Sequence, residues 1–183
     1  MGVASLISII NKELDKVVIG GLTDTETLAI YTNAAKELPI TVFTGSISTV
    51  VMPYIVKGVQ NNEPQKAVEL WNKSIRLSCI IVCYFFVAFF VFAPQIVSIL
   101  YSDKYLDGVI VFRIYLFIEL FRLTYYGMIL NSEGKTKLIL FSSIGTMIIN
   151  LLLDIVLFRV MGVTGPAWAS VFAIASMNTF RLL

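Results

Sequence analysis

Six apolar runs, each close to the length of a membrane-crossing helix, fill almost all of the 183 residues. They read roughly 3–22, 27–56, 75–101, 109–130, 137–158 and 165–183. A helix needs about 20 apolar residues to cross a hydrocarbon core, and that core offers the backbone no partner but itself. An all-α fold is expected: a polytopic membrane helix bundle of about six transmembrane helices. Charged residues make up only 14% of the chain and mean hydropathy is +0.84. Soluble domains carry roughly 25% charged residues, so this chain lacks the polar surface to stay dissolved.

Several of the runs nevertheless contain charges, among them Glu119, Arg122 and Asp154. A charge at the bilayer centre costs about 3 kcal/mol even on the mildest scale, so one that is kept there marks a functional site. Apolar runs with internal charges point to a transporter.

Other classes are poorly served. The chain has no histidine, the commonest acid–base group and metal ligand. Cys79 and Cys83 lie four apart (CIIVC), not at zinc or redox spacing, and are expected to be buried, inert thiols. A net charge of +2 argues for no nucleic-acid partner. GKTK at 134–137 lacks the flanking glycine of a phosphate loop. The N-terminus has neither a signal-peptide pattern nor, with Leu6, a myristoylation pattern. Both ends sit almost flush with apolar runs, so the chain is expected to be part of something longer.

Loop charges set an orientation. The links after runs two and four hold Lys57, Lys66, Lys73, Arg76, Lys135 and Lys137, against Lys104 and Arg159 in the alternate links. Six cations against two put the first group, and both ends of the chain, in the cytoplasm. The polar link 57–74 reads as a cytoplasmic amphipathic surface helix leading into run three, with Pro64 in its first turn and Ala67, Leu70 and Trp71 on one face. Run two is too long for one straight span and is punctuated by Pro39, Gly45 and Pro53. Pro39 and Gly45 are hinge candidates; a tilted helix with an idle kink is the alternative. Pro94 is expected to make a local bend.

At 1.5 Å per residue, Asp15 and Lys16 fall about 18 Å from the cytoplasmic end of run one, with Lys36 and Glu119 about 15 Å from the outer ends of theirs. Arg113 and Asp154 each come out about 6 Å from the outer edge, where they could pair. Tyr115, Glu119, Arg122 and Tyr126 share one helical stripe, as do Ser143, Thr146, Asn150 and Asp154, and Ser8, Asn11 and Asp15. Three such stripes can enclose one wet cavity. Its candidate charges are Lys12, Lys16, Lys36, Arg113 and Arg122 against Glu13, Asp15, Glu119 and Asp154, which mildly favours an anionic substrate. Against this stands a purely structural reading, with Glu119 neutralising Arg122 and Arg113 clamping Asp154.

The segment NKELDKVVIGGLTDTETLAIYTNAAKEL resembles the opening of the second half of polysaccharide-biosynthesis flippases, in the superfamily that includes the multidrug and toxin extrusion exporters. Asp15, Lys16, Gly20, Ala29 and Tyr31 match the pattern, Pro53 fits the proline closing the second helix, SEGKTK the link before the fifth, and GVTGPAWAS the start of the sixth. The resemblance spans the chain and implies two lobes related by an axis along the membrane normal, this chain being the C-terminal one and the N-terminal lobe missing. It implies flipping of a polyprenyl-pyrophosphate oligosaccharide across the inner (plasma) membrane, driven by H⁺ or Na⁺. The partners are then the lipid bilayer, that substrate and the missing lobe; no other cofactor is expected. Asp15, Lys16, Lys36, Arg113, Glu119, Arg122, Asn150 and Asp154 would line the cavity, with Glu119 or Asp154 taking the coupling ion. The alternatives are a multidrug antiporter of the same superfamily, a membrane-embedded sugar polymerase or transferase, and a non-transporting helical subunit. Enzyme chemistry is disfavoured by the lack of histidine and by the solvated setting of Asp103 and Asp107.

Overall fold

The computed structural model describes residues 2–36, 38, 40–123, 130 and 134–182, without the side chains of residues 2–6, 8 and 182. Among the described residues it is an all-α membrane helix bundle of eight α-helices and one 3-10 helix. Helix α1 (Gly2–Leu22) is followed by α2 (Thr25–Ala34), and the two are parted by Thr23 and Asp24. The Asp24 carboxylate accepts the Thr27 N–H at 2.8 Å, satisfying an amide the first turn would otherwise leave bare.

The second apolar run is thus two helices. After α2 the chain leaves the helix at Ala35 and resumes as α3 (Ile40–Gln60), which passes through Gly45 and Pro53 without interruption. Gly45 therefore sits inside a continuous helix, while Pro39, the other hinge candidate, lies outside the described residues. The stretch 57–74 is not a separate surface helix. Its first residues end α3, and Pro64 opens α4 (Pro64–Val91), which runs on unbroken into the third apolar run. A proline in the first turn needs no amide partner, so nothing stops that helix from continuing.

Helix α4 ends at Val91 and α5 (Ala93–Tyr101) begins almost at once. Pro94 has no N–H to give the Phe90 carbonyl four residues back, so the helix breaks there. A 3-10 helix (Asp103–Gly108) turns the chain into α6 (Val109–Phe121). Helices α7 (Thr136–Met161) and α8 (Thr164–Leu182) close the fold. Gly162 makes the turn between them with φ +62°, a conformation L side chains resist. Gly165 then lets the first turn of α8 lie directly on the last turns of α7, since a Cβ there would meet the Leu157 carbonyl.

In a bilayer, helices are held less by the hydrophobic effect than by close van der Waals packing over small residues. Helix α8 fits that rule, burying Ala167, Ala169 and Ala173. The main core joins Ile19, Tyr31, Val82, Val97, Phe112, Leu116 and Val171, and packed against it Phe86 meets Phe117 edge to face and Phe117 lies tilted against Trp168. A smaller cluster of Ile55, Ala67 and Trp71 binds α3 to α4. Outward faces carry Val42, Ile80, Tyr84, Phe141 and Val160, as a lipid-facing surface would. Helices α3, α4 and α7 are each long and apolar enough to cross a membrane. The thiols break the expectation of burial: Cys79 is half-buried and Cys83 exposed on α4, with sulfurs 3.7 Å apart.

Candidate functional site

The inside of the bundle is its polar part. On α7 the stripe Ser143, Thr146, Asn150 and Asp154 is buried throughout, while Leu152, Ile155 and Val156 on the same helix are exposed. Small hydroxyls on this stripe satisfy themselves on the helix's own carbonyls, Ser143 on Ile139 (2.9 Å) and Thr146 on Ser142 (2.7 Å). An ionised Asp154 has no proton to give a carbonyl, and the Asn150 amide turns across the helix interface. It donates from Nδ2 to Asn11 Oδ1 on α1 at 3.2 Å.

One turn further along both helices stand Asp15 and Asp154, each with no exposed surface. Matching four-residue steps on α1 and α7 carry each carboxylate one turn beyond the Asn11–Asn150 bond. Asp15 Oδ2 accepts the hydroxyl of Tyr31 on α2 at 2.8 Å, and also the hydroxyl of Tyr115 on α6. The two tyrosine rings meet edge to face, 6.3 Å between centroids. Asp15 Oδ1, both oxygens of Asp154 and Asn150 Oδ1 have no hydrogen-bond partner. Bare buried oxygens of this kind are costly unless a proton or a cation joins them. The set is all oxygen, which suits a hard ion; among the described residues no group of three His, Cys, Asp or Glu gathers to hold a metal.

Beside this cluster lies a cavity of about 250 Å³ between α1, α6, α7 and α8. Tyr115, Asn11 and Asn150 line it, so it shares residues with the carboxylate cluster. Lys12, Arg122 and Arg181 bring three cationic side chains to its wall, and among its lining residues there is no carboxylate. Arg181, from the last turn of α8, donates to Ser142 Oγ (3.1 Å) and Ser143 Oγ (2.9 Å), which hold its guanidinium across the helix interface. Asn178, one turn earlier, donates to the Phe121 carbonyl at the end of α6, beside Arg122. The arrangement can hold a compact anion on arginine and lysine donors.

The sequence-predicted residues divide. Arg122 and Asn150 line the cavity, and Asp15 and Asp154 form the cluster behind it. Glu119 is buried in α6 but does not line the cavity. Lys16 bonds Glu13 on its own helix at 2.8 Å, and Lys36 is exposed after α2; neither reaches the wall. Arg113 does not pair with Asp154, as the depth argument suggested. Its Nε donates to the Phe90 carbonyl at 3.2 Å and its guanidinium lies 5.3 Å from the Phe90 ring, at the α4–α5 break. Tyr126 of the α6 stripe lies outside the described residues, as does the Ser8 side chain.

Arg181 and Tyr31 were not among the expected site residues. The only trace of Arg181 was its charge within the last apolar run, easily taken for an interfacial anchor. Tyr31 belongs to a helix that the sequence merged into a longer one.

The chain belongs to a family of polysaccharide biosynthesis proteins, whose family model matches residues 1–110. The match contains Asp15 and Tyr31 and ends before Tyr115, Arg122 and the two helices that carry Asp154 and Arg181. No curated protein and no solved structure gives a match.

Proposed function

We propose that this polysaccharide biosynthesis protein is one lobe of a transporter that flips a polyprenyl-pyrophosphate oligosaccharide from the cytoplasmic to the outer leaflet of the inner membrane. The observation that carries this reading is the cavity walled by Lys12, Arg122 and Arg181 and free of carboxylates along its described lining. Guanidinium groups match phosphate oxygens in paired, charge-assisted bonds, and they do so best away from bulk water. The pyrophosphate linker is the charged part of such a substrate, and the cavity is small enough to hold that part while the sugars extend toward a companion lobe. Rocking of one lobe against the other would then expose the site to each leaflet in turn.

The coupling ion, H⁺ or Na⁺, binds in this reading at Asp15 and Asp154, whose bare oxygens lie next to the cavity. Both termini of the chain face the cytoplasm, and no bond is made or broken, so the protein is a transporter and not an enzyme.

The experiment uses the full-length gene, deleted and then restored. Surface polysaccharide is expected to fall and lipid-linked repeat units to accumulate in the inner leaflet, with rescue by the native gene but not by Arg122→Gln or Arg181→Gln variants that still insert. Unchanged polymer with altered sensitivity to organic cations would move the protein to the drug-exporting branch. Export supported by both variants would remove the cationic cavity from the mechanism.

A further inference from the structure

The cationic cavity has an apolar stretch that an anion leaves unused. On α6 its lining runs from Arg122 through Phe121 to Ile118, and on α8 from Arg181 through Met177 to Ile174. Two contacts, Asn178 to the Phe121 carbonyl and the Trp168 ring to Phe117, make these helices run the same way, so the two stretches lie side by side. At 1.5 Å per residue, Ile118 is about 6 Å and Ile174 about 10 Å inward of the arginines that end their helices. Phe121, Ile174 and Met177 are only half-buried, so this band has apolar surface left to cover. The lining from α1 and α7 is of the other kind: Asn11, Lys12, Ser143 and Asn150. A cavity with cations at one end and an apolar band one turn further in fits an amphiphile better than a bare anion.

We propose that Ile118, Phe121, Ile174 and Met177 form a subsite for the first isoprene units of the substrate's prenyl chain, with its diphosphate on Arg122 and Arg181. This rests on the transport reading above and assigns the part of the lipid that the cavity grips. In the orientation proposed there, Arg122 and Arg181 stand at the cytoplasmic ends of their helices. Head first and chain inward is then the order of a lipid lying in the cytoplasmic leaflet. A sugar in the same place would set its hydroxyls against four side chains that cannot bond them, at a desolvation cost. The unbranched thioether of Met177 adapts to an irregular chain. At about 250 Å³ the cavity is smaller than the 300–1,000 Å³ of typical pockets for drug-sized ligands. It therefore takes the head and the nearest units, and the rest of the chain stays among the lipids.

The test is made on the full-length protein in nanodiscs, with empty nanodiscs as the blank, by calorimetry with two probes that share one head. Isopentenyl diphosphate carries one isoprene unit and geranyl diphosphate two, so their difference reports the chain alone. Native protein is expected to bind the geranyl probe at least about tenfold more tightly, well short of what full burial of the added unit would give. Met177→Gln keeps the length of the side chain and puts an amide in the band; it should lose most of that advantage. Arg122→Gln should weaken both probes alike. Equal affinity of the two probes for native protein, or an advantage that survives in Met177→Gln, would overturn the proposal and leave the transport reading standing. If native protein binds neither probe, the transport reading falls and the proposal with it. If Met177→Gln does not insert, a geranyl diphosphate with a diazirine at the far end of its chain gives a second reading in native protein. Light should attach it to α6 or α8 at the apolar band; labels confined to the outward faces of α3 and α4 overturn the proposal.

Discussion

The Arg113 side chain on α6 supplies the hydrogen bond that Pro94 cannot give to the carbonyl of Phe90. A proline in the fourth position after Phe90 leaves that oxygen without its helical donor. Arg113 Nε reaches across from the neighbouring helix, and the Phe90 ring lies under its guanidinium. The charge in this apolar segment thus lies at the α4–α5 break, and Arg113 is not among the residues that line the cavity.

Arg113→Met is accordingly expected to destabilise the fold by about 1–3 kcal/mol, the scale of a hydrogen bond from a charged donor, here to a part-buried carbonyl. Pyrophosphate affinity should stay within about twofold of native. Thermal unfolding in detergent, with calorimetry on the folded fraction, checks both. A large affinity loss with native stability would return Arg113 to the cavity.

Gly165→Ala should be among the most damaging single substitutions in the chain. The added Cβ would sit 2.7 Å from the Phe158 nitrogen and nearer still to the Leu157 carbonyl, both backbone atoms that cannot turn aside. Helices α7 and α8 would have to separate, at about 3 kcal/mol or more. Gly145→Ala, where nothing lies within 4 Å of the new carbon, is the matched control and should be nearly silent. Equal melting temperatures for the two variants would contradict the packing described for α7 and α8.

Asp154→Asn replaces a buried carboxyl that has no hydrogen-bond partner while keeping its shape. Without sodium the variant should be at least as stable as native protein, because the amide never carries the uncompensated buried charge that an ionised carboxylate would. With sodium the order should reverse. A ligand at 100 times its dissociation constant stabilises by about 2.7 kcal/mol, and the variant should gain none of it. Melting curves at several sodium concentrations give the answer, and a sodium-dependent shift that survives in the variant would exclude Asp154 from the ion site.

Asp24 gives a pH signature outside the membrane. Its bonds to the Thr27 amide and hydroxyl hold the carboxyl below its ordinary value. A lowered folded-state pKa means the stabilisation is present above the unfolded value, about 3.9, and is lost as pH falls through the folded one. Asp24→Asn keeps the cap and cannot titrate, so native protein should lose stability more steeply than the variant from about pH 5 downward. Parallel curves over that range would mean the cap bonds do not form in solution.

Much of this molecule can be read without coordinates, and the reason is the solvent. Hydrocarbon forces every backbone group to pair within its own helix, so run length alone announces an all-α bundle. It also forces polar side chains inward, so the stripe at Ser143, Thr146, Asn150 and Asp154 names its own buried face. Proline chemistry is equally local, and the break at Pro94 follows from the missing N–H.

Partnership is another matter. Depth along a helix placed Arg113 level with Asp154, but depth says nothing about rotation around the axis or about which helices are neighbours. Only the packing of α6 against α4 sends Arg113 to Phe90 and leaves both oxygens of Asp154 without a hydrogen-bond partner. The same holds for Arg181, 38 residues from the Ser143 it bonds, and for Tyr115, 100 residues from Asp15. The sequence determined that charges lie inside a membrane bundle, because the cost of burying them is a property of each residue and its surroundings. The tertiary structure decided which of them line a cavity, which lie buried behind it and which bond the carbonyl at a broken helix, because those places depend on distances of a few ångströms between segments far apart in the chain.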